Sequence, residues 1–316
     1  MGQRRLTFRE DGSFKIVQFT DVHLIDGSGE EKDQRTLALM MDIVQREQPD
    51  LVVYTGDLIF SERAGEPAEA FRSVIGVAES FGIPYAVVYG NHDSEQGVTR
   101  AELQAILEKR ELSLSQAGPV DIHGTGNYVL TIQRSSGTGE AAVLYFVDSG
   151  EYAPPSVGGY AWLHPDQVNW YSVQSSRISA LNKGPLPALA FLHIPLPEYR
   201  EAALNGEIQG TKGEEVCCPI INSGMFAAML EGSDVMGVFA GHDHDNDYLV
   251  AHHGIALAYG RITGWNTYGA LQRGARVIEL REDAFSFRTW IRLEDGSVVN
   301  DAKAGKANTG EVSGRI

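Results

Sequence analysis

Residues 14–23 read FKIVQFTDVH, so an apolar run stops at Thr20 and is followed at once by Asp21 and His23. A short run of Val, Ile and aromatic residues that ends abruptly in polar residues is typical of a strand buried on both faces. Four further runs have this form and are predicted to be strands with polar tips. They are residues 51–54 (LVVY) before Thr55-Gly56-Asp57, residues 85–89 (YAVVY) before Gly90-Asn91-His92-Asp93, residues 188–192 (ALAFL) before His193, and residues 235–240 (VMGVFA) before Gly241-His242-Asp243-His244.

Segments with helical spacing of apolar residues separate the first three runs. One covers residues 37–44, for which Asp33 is the predicted N-cap, and the other follows Pro67 and ends at residues 82–84 (GIP). Strand, helix, strand, helix, strand predicts right-handed βαβ units with parallel strands. Because ligands of open α/β sheets bind outside the carboxyl ends of the strands, we expect the polar tips to meet there.

The rest of the chain is predicted to be mostly antiparallel. Residues 127–133 and 141–148 indicate two strands joined by a Gly/Ser loop, and four short runs between residues 248 and 291 indicate a meander without helices. We therefore predict an α/β fold, a four-layer α/β/β/α sandwich with two mixed sheets. Residues 1–295 are predicted to form a single domain and residues 296–316 a polar C-terminal tail. Residues 195–215 are predicted to be a loop that could cover the site.

The composition disfavours several classes of protein. The 316 residues carry 26 basic and 42 acidic side chains, for a formal net charge of −16. Such a charge repels nucleic acids and anionic membranes, although bound cations can reverse the field locally for a small anionic substrate. The two cysteines are adjacent, which leaves no disulfide framework, and no apolar run approaches the roughly 18 residues of a membrane span. We expect a cytoplasmic protein, unless a native leader has been removed from the sequence.

The polar tips of the five predicted strands together form a set of metal ligands. Each tip supplies Asp, His or Asn, whereas ordinary strand ends offer Gly, Ser, Thr or Lys as readily, so agreement across five ends is improbable by chance. Imidazole, carboxylate and amide groups bind divalent transition-metal ions. We therefore predict a metal site at the carboxyl ends of the strands. Its candidate ligands are Asp21, His23, Asp57, Asn91, His193, His242 and His244.

These tips resemble the conserved blocks of a known family. The five blocks of the calcineurin-like metallophosphoesterase superfamily are matched, in order, by Asp21-Val22-His23, Gly56-Asp57, Gly90-Asn91-His92-Asp93, His193 and Gly241-His242-Asp243-His244. The match runs from Asp21 to His244 and so spans most of the chain. Residues 216–226 (VCCPIINSGMF) and 238–248 (VFAGHDHDNDY) further resemble the branch related to the purple acid phosphatases.

The resemblance implies two divalent metal ions, drawn from Mn, Fe, Zn and Mg, that share one bridging carboxylate. The ligands implied for the first ion are Asp21, His23 and His244. Those implied for the second ion are Asn91, His193 and His242, with Asp57 as the bridge between the two ions. The same nitrogen and oxygen donors accept several metals, so the identity of the ions stays open.

Two further residues are implied to be catalytic rather than metal-binding. His92 would face the scissile phosphate and stabilise the departing alkoxide, and Asp93 would hold the His92 ring from behind. Two ions about 3.5–4 Å apart lower the pKa of a bridging water, and the resulting hydroxide attacks phosphorus in line. The implied function is therefore hydrolysis of phosphate monoesters or diesters by a metal-bridging hydroxide. The expected substrate is a small phosphate ester or a phosphoprotein.

Two other functions stay open on the sequence alone. A nuclease or phospholipid diesterase of the same fold is disfavoured by the net charge of −16 and by the lack of a basic stripe or basic amphipathic helix. A non-catalytic metal-binding scaffold is disfavoured because all seven ligand positions and His92 hold suitable residues. Neither the physiological substrate nor the oligomeric state can be inferred from these patterns.

Phe60 distinguishes this sequence from the purple acid phosphatases. Those enzymes place a tyrosine three residues after the bridging aspartate and have no histidine in the first block. Here Phe60 lies three residues after Asp57, and His23 occupies the first block. Phenylalanine has no oxygen with which to coordinate iron, so no tyrosinate charge-transfer band is expected.

We predict that the iron-loaded protein is colourless or weakly coloured. The measurement is the visible absorption spectrum of the protein after reconstitution with iron. A strong band in the purple region that disappears in Phe60→Ala would contradict the prediction.

Overall fold

The structure, a computed structural model, describes residues 5–26 and 30–305. Its strands are β1 Leu6–Thr7, β2 Ser13–Phe19, β3 Leu51–Thr55, β4 Tyr85–Val88, β5 Tyr128–Gln133, β6 Glu140–Phe146, β7 Ala188–Phe191, β8 Val235–Ala240, β9 Leu249–His252, β10 Ile255–Tyr259, β11 Gly274–Arg281, β12 Ser286–Leu293 and β13 Val298–Gly305. Its helices are α1 Glu31–Glu47, α2 Pro67–Ser80, α3 Arg100–Leu107, α4 Pro165–Asn182, α5 Glu198–Asn205 and α6 Met225–Gly232. No helix in this part of the chain combines the length and the apolar composition that crossing a membrane requires.

The strands form two mixed sheets, which confirms the predicted α/β fold. The first sheet has the order β13-β12-β11-β2-β3-β4, with β2, β3 and β4 parallel and β11 to β13 antiparallel. The second has the order β1-β5-β6-β7-β8-β10-β9, in which β6, β7, β8 and β10 are parallel. The predicted C-terminal meander is divided, because β9 and β10 join the second sheet whereas β11 to β13 join the first.

Side chains of the buried strands point alternately to the two faces of each sheet, and both faces are covered by other layers of the fold. On β3, Val52 and Tyr54 pack in the core with α1 and α2, whereas Leu51 and Val53 pack between the two sheets. The outer face of the second sheet is covered by α4, α5 and α6 in a third core. Successive side chains of a strand point to opposite faces, so a strand that is apolar at every position needs cover on both. The order of layers is helices, sheet, sheet and helices.

The boundary predicted for the C-terminal tail needs correction. Residues 298–305 form β13, which pairs antiparallel with β12 at the edge of the first sheet. Ala302 is its one buried residue, so the burial of apolar side chains does little to hold this strand. Backbone hydrogen bonds and the ion pair between Arg288 and Asp301 hold it in place instead. The rest of the predicted tail, residues 306–316, lies outside the described residues.

Two local predictions are also wrong. The loop expected at residues 195–215 contains α5, whose Tyr199 and Ala202 are buried in the core of the second sheet. Asp33 lies inside the first turn of α1 rather than at its N-cap. Its carboxylate accepts hydrogen bonds from the backbone N–H groups of Ile25 and Asp26, at 3.2 and 2.7 Å, and so organises the loop that precedes the helix.

Arg276 ties the two sheets together from the inside. It lies on β11 of the first sheet, is 1% exposed, and donates to Thr289 Oγ1 on β12 at 3.0 Å. It also donates to the carbonyl oxygens of Tyr259, at the end of β10, and of Asp247, before β9, the latter at 2.6 Å. Burial lowers the pKa of Arg276 to about 10, so its guanidinium remains charged at neutral pH. One buried cation therefore satisfies acceptors of both sheets.

We predict that Arg276→Met lowers the free energy of unfolding by about 2–4 kcal/mol, because it leaves buried acceptors of both sheets without a donor. Urea unfolding followed by circular dichroism measures the loss. The matched control is Arg281→Met on the same strand, where the guanidinium is 54% exposed and the expected change is within about 0.5 kcal/mol. An equal decrease in the free energy of unfolding in the two variants would contradict a stabilising role for the Arg276 hydrogen bonds between the sheets.

Candidate metal centre

The structure brings together all seven residues proposed as metal ligands. They follow β2, β3, β4, β7 and β8, whose carboxyl ends lie on one side of the molecule, and none is more than 7% exposed. The donor atoms of six of them form two groups, each with all atoms within 4.8 Å of one another. One group is Asp21, His23, Asp57 and His244, and the other is Asp57, His193 and His242. Asp57 belongs to both groups, which is the arrangement a bridging carboxylate requires.

Asn91 joins the second group through His193. Its side-chain oxygen lies 3.2 Å from His193 Nε2, and its side-chain nitrogen donates to the Tyr152 hydroxyl at 3.1 Å. Because Tyr152 engages the amide nitrogen, the amide oxygen, which is the atom that binds metals, is the one that faces the donor group. Asp57 Oδ2 lies 3.2 Å from the same nitrogen of His193 and 3.6 Å from His23 Nε2.

Backbone carbonyls set the orientation of two histidines. His193 Nδ1 donates to the Thr55 carbonyl oxygen at 2.8 Å, and His244 Nδ1 donates to the Tyr268 carbonyl oxygen at 3.1 Å. Since Nδ1 carries the proton in both rings, Nε2 is left to face the carboxylates. Metal-binding histidines are held in the same way by a hydrogen bond from the ring nitrogen that does not bind the ion.

The donor set fits divalent cations. Among the described residues, His242 Nε2 is a buried ring nitrogen without a hydrogen-bond partner, which is costly unless another group binds it. Burial lowers the pKa of both His23 and His242 to about 3, so their rings are neutral and can offer an electron pair. Imidazoles, carboxylates and one amide together suit ions such as Zn²⁺, Mn²⁺ and Fe²⁺.

The carboxylates of the site are ionised. Burial alone would raise the pKa of Asp21, but the charge and hydrogen bond of His244 outweigh it and hold the pKa at about 2. Burial would also raise the pKa of Asp57. The charge and hydrogen bond of His193 outweigh burial, so the pKa of Asp57 lies well below its usual value. His193 shows the converse shift, since the charge of Asp57 overcomes burial and raises the pKa of His193 to about 9. Both carboxylates are therefore in the ionised form that binds a cation.

The ligand loops adopt unfavourable backbone conformations. Four candidate ligands have positive φ, namely Asp21 at 53°, His23 at 49°, Asp57 at 51° and His242 at 79°. Each such conformation costs on the order of 1–3 kcal/mol outside glycine, and residues of this kind cluster at functional sites. Hydrogen bonds between the loops offset the cost, for example from the His23 N–H to the Asp57 carbonyl oxygen at 2.9 Å.

Two glycines let the loops approach closely enough for the donors to meet. A Cβ atom on Gly90 would lie 2.2 Å from Asp57 Oδ1, and one on Gly56 would lie 2.4 Å from His193 Nδ1. Neither distance is possible without moving a candidate ligand. The glycines that precede Asp57 and Asn91 in the sequence are therefore required by the packing of the donors themselves.

The structure does not place the Asp93 carboxylate against the His92 ring, so the position predicted for it is wrong. Its buried carboxylate accepts hydrogen bonds from four backbone N–H groups at 2.7–3.1 Å. They belong to Asp57, Leu58, Ile59 and Gly90. Burial and the charge of Asp57 raise the pKa of Asp93 to about 6. Asp93 thus binds the turns after β3 and β4 to each other.

Glu95 takes the position beside His92 that was predicted for Asp93. Glu95 Oε2 lies 2.8 Å from His92 Nδ1, and Glu95 Oε1 accepts a hydrogen bond from the Tyr152 hydroxyl at 2.8 Å. The His92 N–H donates to Asp57 Oδ1 at 2.8 Å, which fixes the backbone of His92 against the donor set. A carboxylate three residues after a loop histidine is a weak signal, and sequence reasoning missed it.

The donor groups form the floor of a cavity of about 430 Å³. Residues 195–215, which were predicted to be a loop that could cover the site, are not among its lining residues, whereas Tyr160 is. The other lining residues include Phe60 and Arg63 after β3, Cys217, and residues 266–268 after β10. Another cavity, of about 570 Å³ between β5 and α4, is lined by none of the candidate ligands.

Four further histidines belong to neither donor group. His123 stacks on His164 with ring centroids 3.8 Å apart, and His252 and His253 pack beside Phe226. Asn246 and Asp247, which directly follow the last motif, also serve other contacts. Asn246 accepts from the backbone of residues 213 and 214, and Asp247 pairs with Arg261.

We predict that Asp93→Asn acts through stability and metal content. An amide offers one acceptor oxygen in place of two, so about 2–3 kcal/mol of the free energy of unfolding is lost and the Asp57 turn loosens. Urea unfolding and elemental analysis of the purified protein measure the two effects. The control is Asp121→Asn at an exposed position, and a variant Asp93→Asn with unchanged stability and metal content would contradict the assignment.

Comparisons with known proteins show which family the sequence matches. The model of the calcineurin-like phosphoesterase family matches residues 14–246. A protein named probable inactive purple acid phosphatase 14, from Arabidopsis thaliana, is 33% identical over 93% of this chain and 84% of its own length. The phosphatase DCR2 of Saccharomyces cerevisiae is 32% identical over 92% of this chain and 56% of its own length.

A solved structure has the same fold. The dimetal phosphatase from Danio rerio superposes with a TM-score of 0.63 at 14% identity, covering 93% of this chain and 99% of its own. At that identity the likeness concerns the fold alone, whereas the family model covers most of the chain, including every candidate ligand from Asp21 to His244. The chain belongs to the calcineurin-like phosphoesterase family, in a branch related to the purple acid phosphatases.

Proposed function

We propose that this protein is a metal-dependent phosphoesterase that hydrolyses phosphate monoesters or diesters. The observation that carries the proposal is the pair of donor groups sharing Asp57 at the floor of an open cavity. His92 lines the same cavity without belonging to either donor group. A small phosphate ester or a phosphorylated side chain of a protein is of a size that this cavity admits.

Two divalent ions are the cofactors that we propose for this site. Asp21, His23 and His244 would hold one ion, Asn91, His193 and His242 the other, and Asp57 both. Once bound, the ions would supply Lewis-acid activation of the phosphoryl group and of water. The residues themselves hold the donors in place before binding, because buried hydrogen bonds already orient the rings of His193 and His244.

His92 is proposed as the group that moves a proton. Its Nδ1 is engaged by the Glu95 carboxylate, which leaves Nε2 as the ring nitrogen able to deliver a proton to the departing oxygen. Glu95 stabilises the protonated ring and fixes its tautomer, as carboxylates paired with catalytic histidines do. Glu95 is itself held by the Tyr152 hydroxyl. His92 is therefore a catalytic residue in this proposal, and Glu95 and Tyr152 are positioning residues.

Aromatic rings pack beside the histidines that line the cavity. The Phe60 ring lies 4.7 Å from the His92 ring, Tyr160 lies 4.2 Å from His242, and Tyr268 stacks on His244 at 4.1 Å. Apolar surface around charged groups strengthens their electrostatic interactions with a bound phosphate.

A non-catalytic metal-binding protein is the second candidate, and one finding favours it. Several Arabidopsis relatives, including those named probable inactive purple acid phosphatases 14, 28 and 29, carry the word inactive in their names. The site in this chain favours catalysis. Six candidate ligands form the two donor groups, Asn91 lies beside His193, and His92 has a carboxylate partner. A nuclease or a phospholipid diesterase remains disfavoured, since the chain carries a net charge of −16.

We predict that the protein hydrolyses p-nitrophenyl phosphate, its bis-ester or both when Mn²⁺ or Zn²⁺ is supplied. Asp57→Asn should abolish the activity because it removes the carboxylate shared by both donor groups. His92→Ala should lower kcat by roughly 10²- to 10⁴-fold, the usual contribution of general acid–base catalysis. The release of p-nitrophenol measures both effects.

The control for this experiment is His253→Ala, which removes an exposed histidine far from the donor set and should leave the rate unchanged. Elemental analysis should find up to two transition-metal ions per chain in the wild type and fewer in Asp57→Asn. Equal residual rates in the wild type and Asp57→Asn would reject catalysis, and bound metal without activity would then support the non-catalytic alternative.

A further inference from the structure

Arg63 lies at the mouth of the cavity whose floor carries the donor groups. The donors are almost completely buried, whereas Arg63 is exposed, although both line the same cavity. A phosphoryl group bound at the floor must direct the rest of its ester toward the mouth. Arg63 is therefore placed beside the leaving group of a substrate rather than beside the phosphoryl group itself.

The guanidinium of Arg63 is held in position without being neutralised. Its Nη1 donates to the Asn266 carbonyl oxygen at 3.1 Å, and its Cζ lies 5.2 Å from the centre of the Phe60 ring. Asn266 in turn donates from its side chain to the His23 carbonyl oxygen at 3.2 Å, so the arginine is connected to a ligand loop. Within residues 5–26 and 30–305, no carboxylate forms an ion pair with Arg63.

The remaining wall of the cavity does not attract anions. Besides the candidate ligands it includes the carboxylate of Asp243, and the Tyr268 hydroxyl at the rim donates to Glu214 at 2.9 Å. Histidines aside, Arg63 is the one cationic side chain among the lining residues that the structure describes. In a chain of net charge −16, an unpaired arginine held beside a cavity is a specific place for an anion.

We propose that the substrate carries a second anionic group, in addition to the phosphate that is hydrolysed, and that Arg63 binds it. This inference rests on the proposed phosphoesterase function and specifies its substrate class. Either a carboxylate or a further phosphate on the leaving group has the chemistry required, since the planar guanidinium binds both with paired hydrogen bonds. Arg63 thereby determines specificity and takes no part in the chemical step.

The test compares two probes that differ at one position, 3-phosphoglycerate, which carries a carboxylate, and glycerol 3-phosphate, which carries a hydroxymethyl group there. Phosphate release is measured with the metal-loaded wild type and with Arg63→Met, which keeps much of the side-chain length but no charge. We expect Arg63→Met to raise KM about fivefold for 3-phosphoglycerate, the scale of a partly exposed ion pair, and to change kcat little. For glycerol 3-phosphate the expected change in KM is below about twofold, within the same range of effects.

The matched control is Arg72→Met, which removes an arginine paired with Glu69 on α2, outside the cavity. It should alter KM for neither probe. Equal effects of Arg63→Met on the two probes, or no effect on either, would overturn the inference. So would a wild type that shows no preference for 3-phosphoglycerate.

Failure of the proposed function itself is recognised separately. If the metal-loaded wild type hydrolyses neither probe, and neither p-nitrophenyl phosphate nor its bis-ester, the phosphoesterase proposal fails. Isothermal titration calorimetry of the same two probes on the metal-loaded proteins then measures Kd in place of KM. A weaker Kd for 3-phosphoglycerate alone in Arg63→Met supports anion recognition by Arg63, and an unchanged Kd overturns it.

Discussion

The candidate metal centre depends on one buried carboxylate that binds no metal in the proposed scheme. Asp93 accepts hydrogen bonds from the backbone of the turn after β3 and from Gly90 in the turn after β4. These bonds hold the unfavourable φ of Asp57 in place and set Asp57 opposite His193. Since Asp57 belongs to both donor groups, the spacing of the whole set follows from the turns that Asp93 joins.

Burial and charge act against each other throughout this region. Seven donors are nearly free of contact with water, so burial favours neutral groups, yet Asp21 and Asp57 remain ionised because His244 and His193 stand beside them. His23 and His242 stay neutral. Buried carboxylates and neutral imidazoles packed this closely are costly without a further partner and favourable around cations, so the arrangement is consistent with metal binding.

The fold supplies the rigidity that such a centre needs. The ligands come from strands of both sheets, so any sliding of one sheet on the other would separate His193 and His242 from Asp57. Arg276 opposes such sliding from within, because it bonds acceptors on β12 and on the loops at β9 and β10. Interdigitated apolar side chains between the sheets, such as Val53 on β3, complete the connection.

The sequence by itself determined the five buried strands and the seven candidate ligands at their carboxyl ends, since apolar runs with polar tips are local patterns. It could not assign Asp93 and Glu95 correctly, because both lie near His92 in the chain and only the path of the turn decides which carboxylate reaches the ring. The edge strand β13 was missed because backbone pairing, rather than apolar alternation, holds it. Tertiary structure alone placed Arg63 and residues 266–268 at the cavity, since their proximity arises from loops of distant strands meeting at one edge.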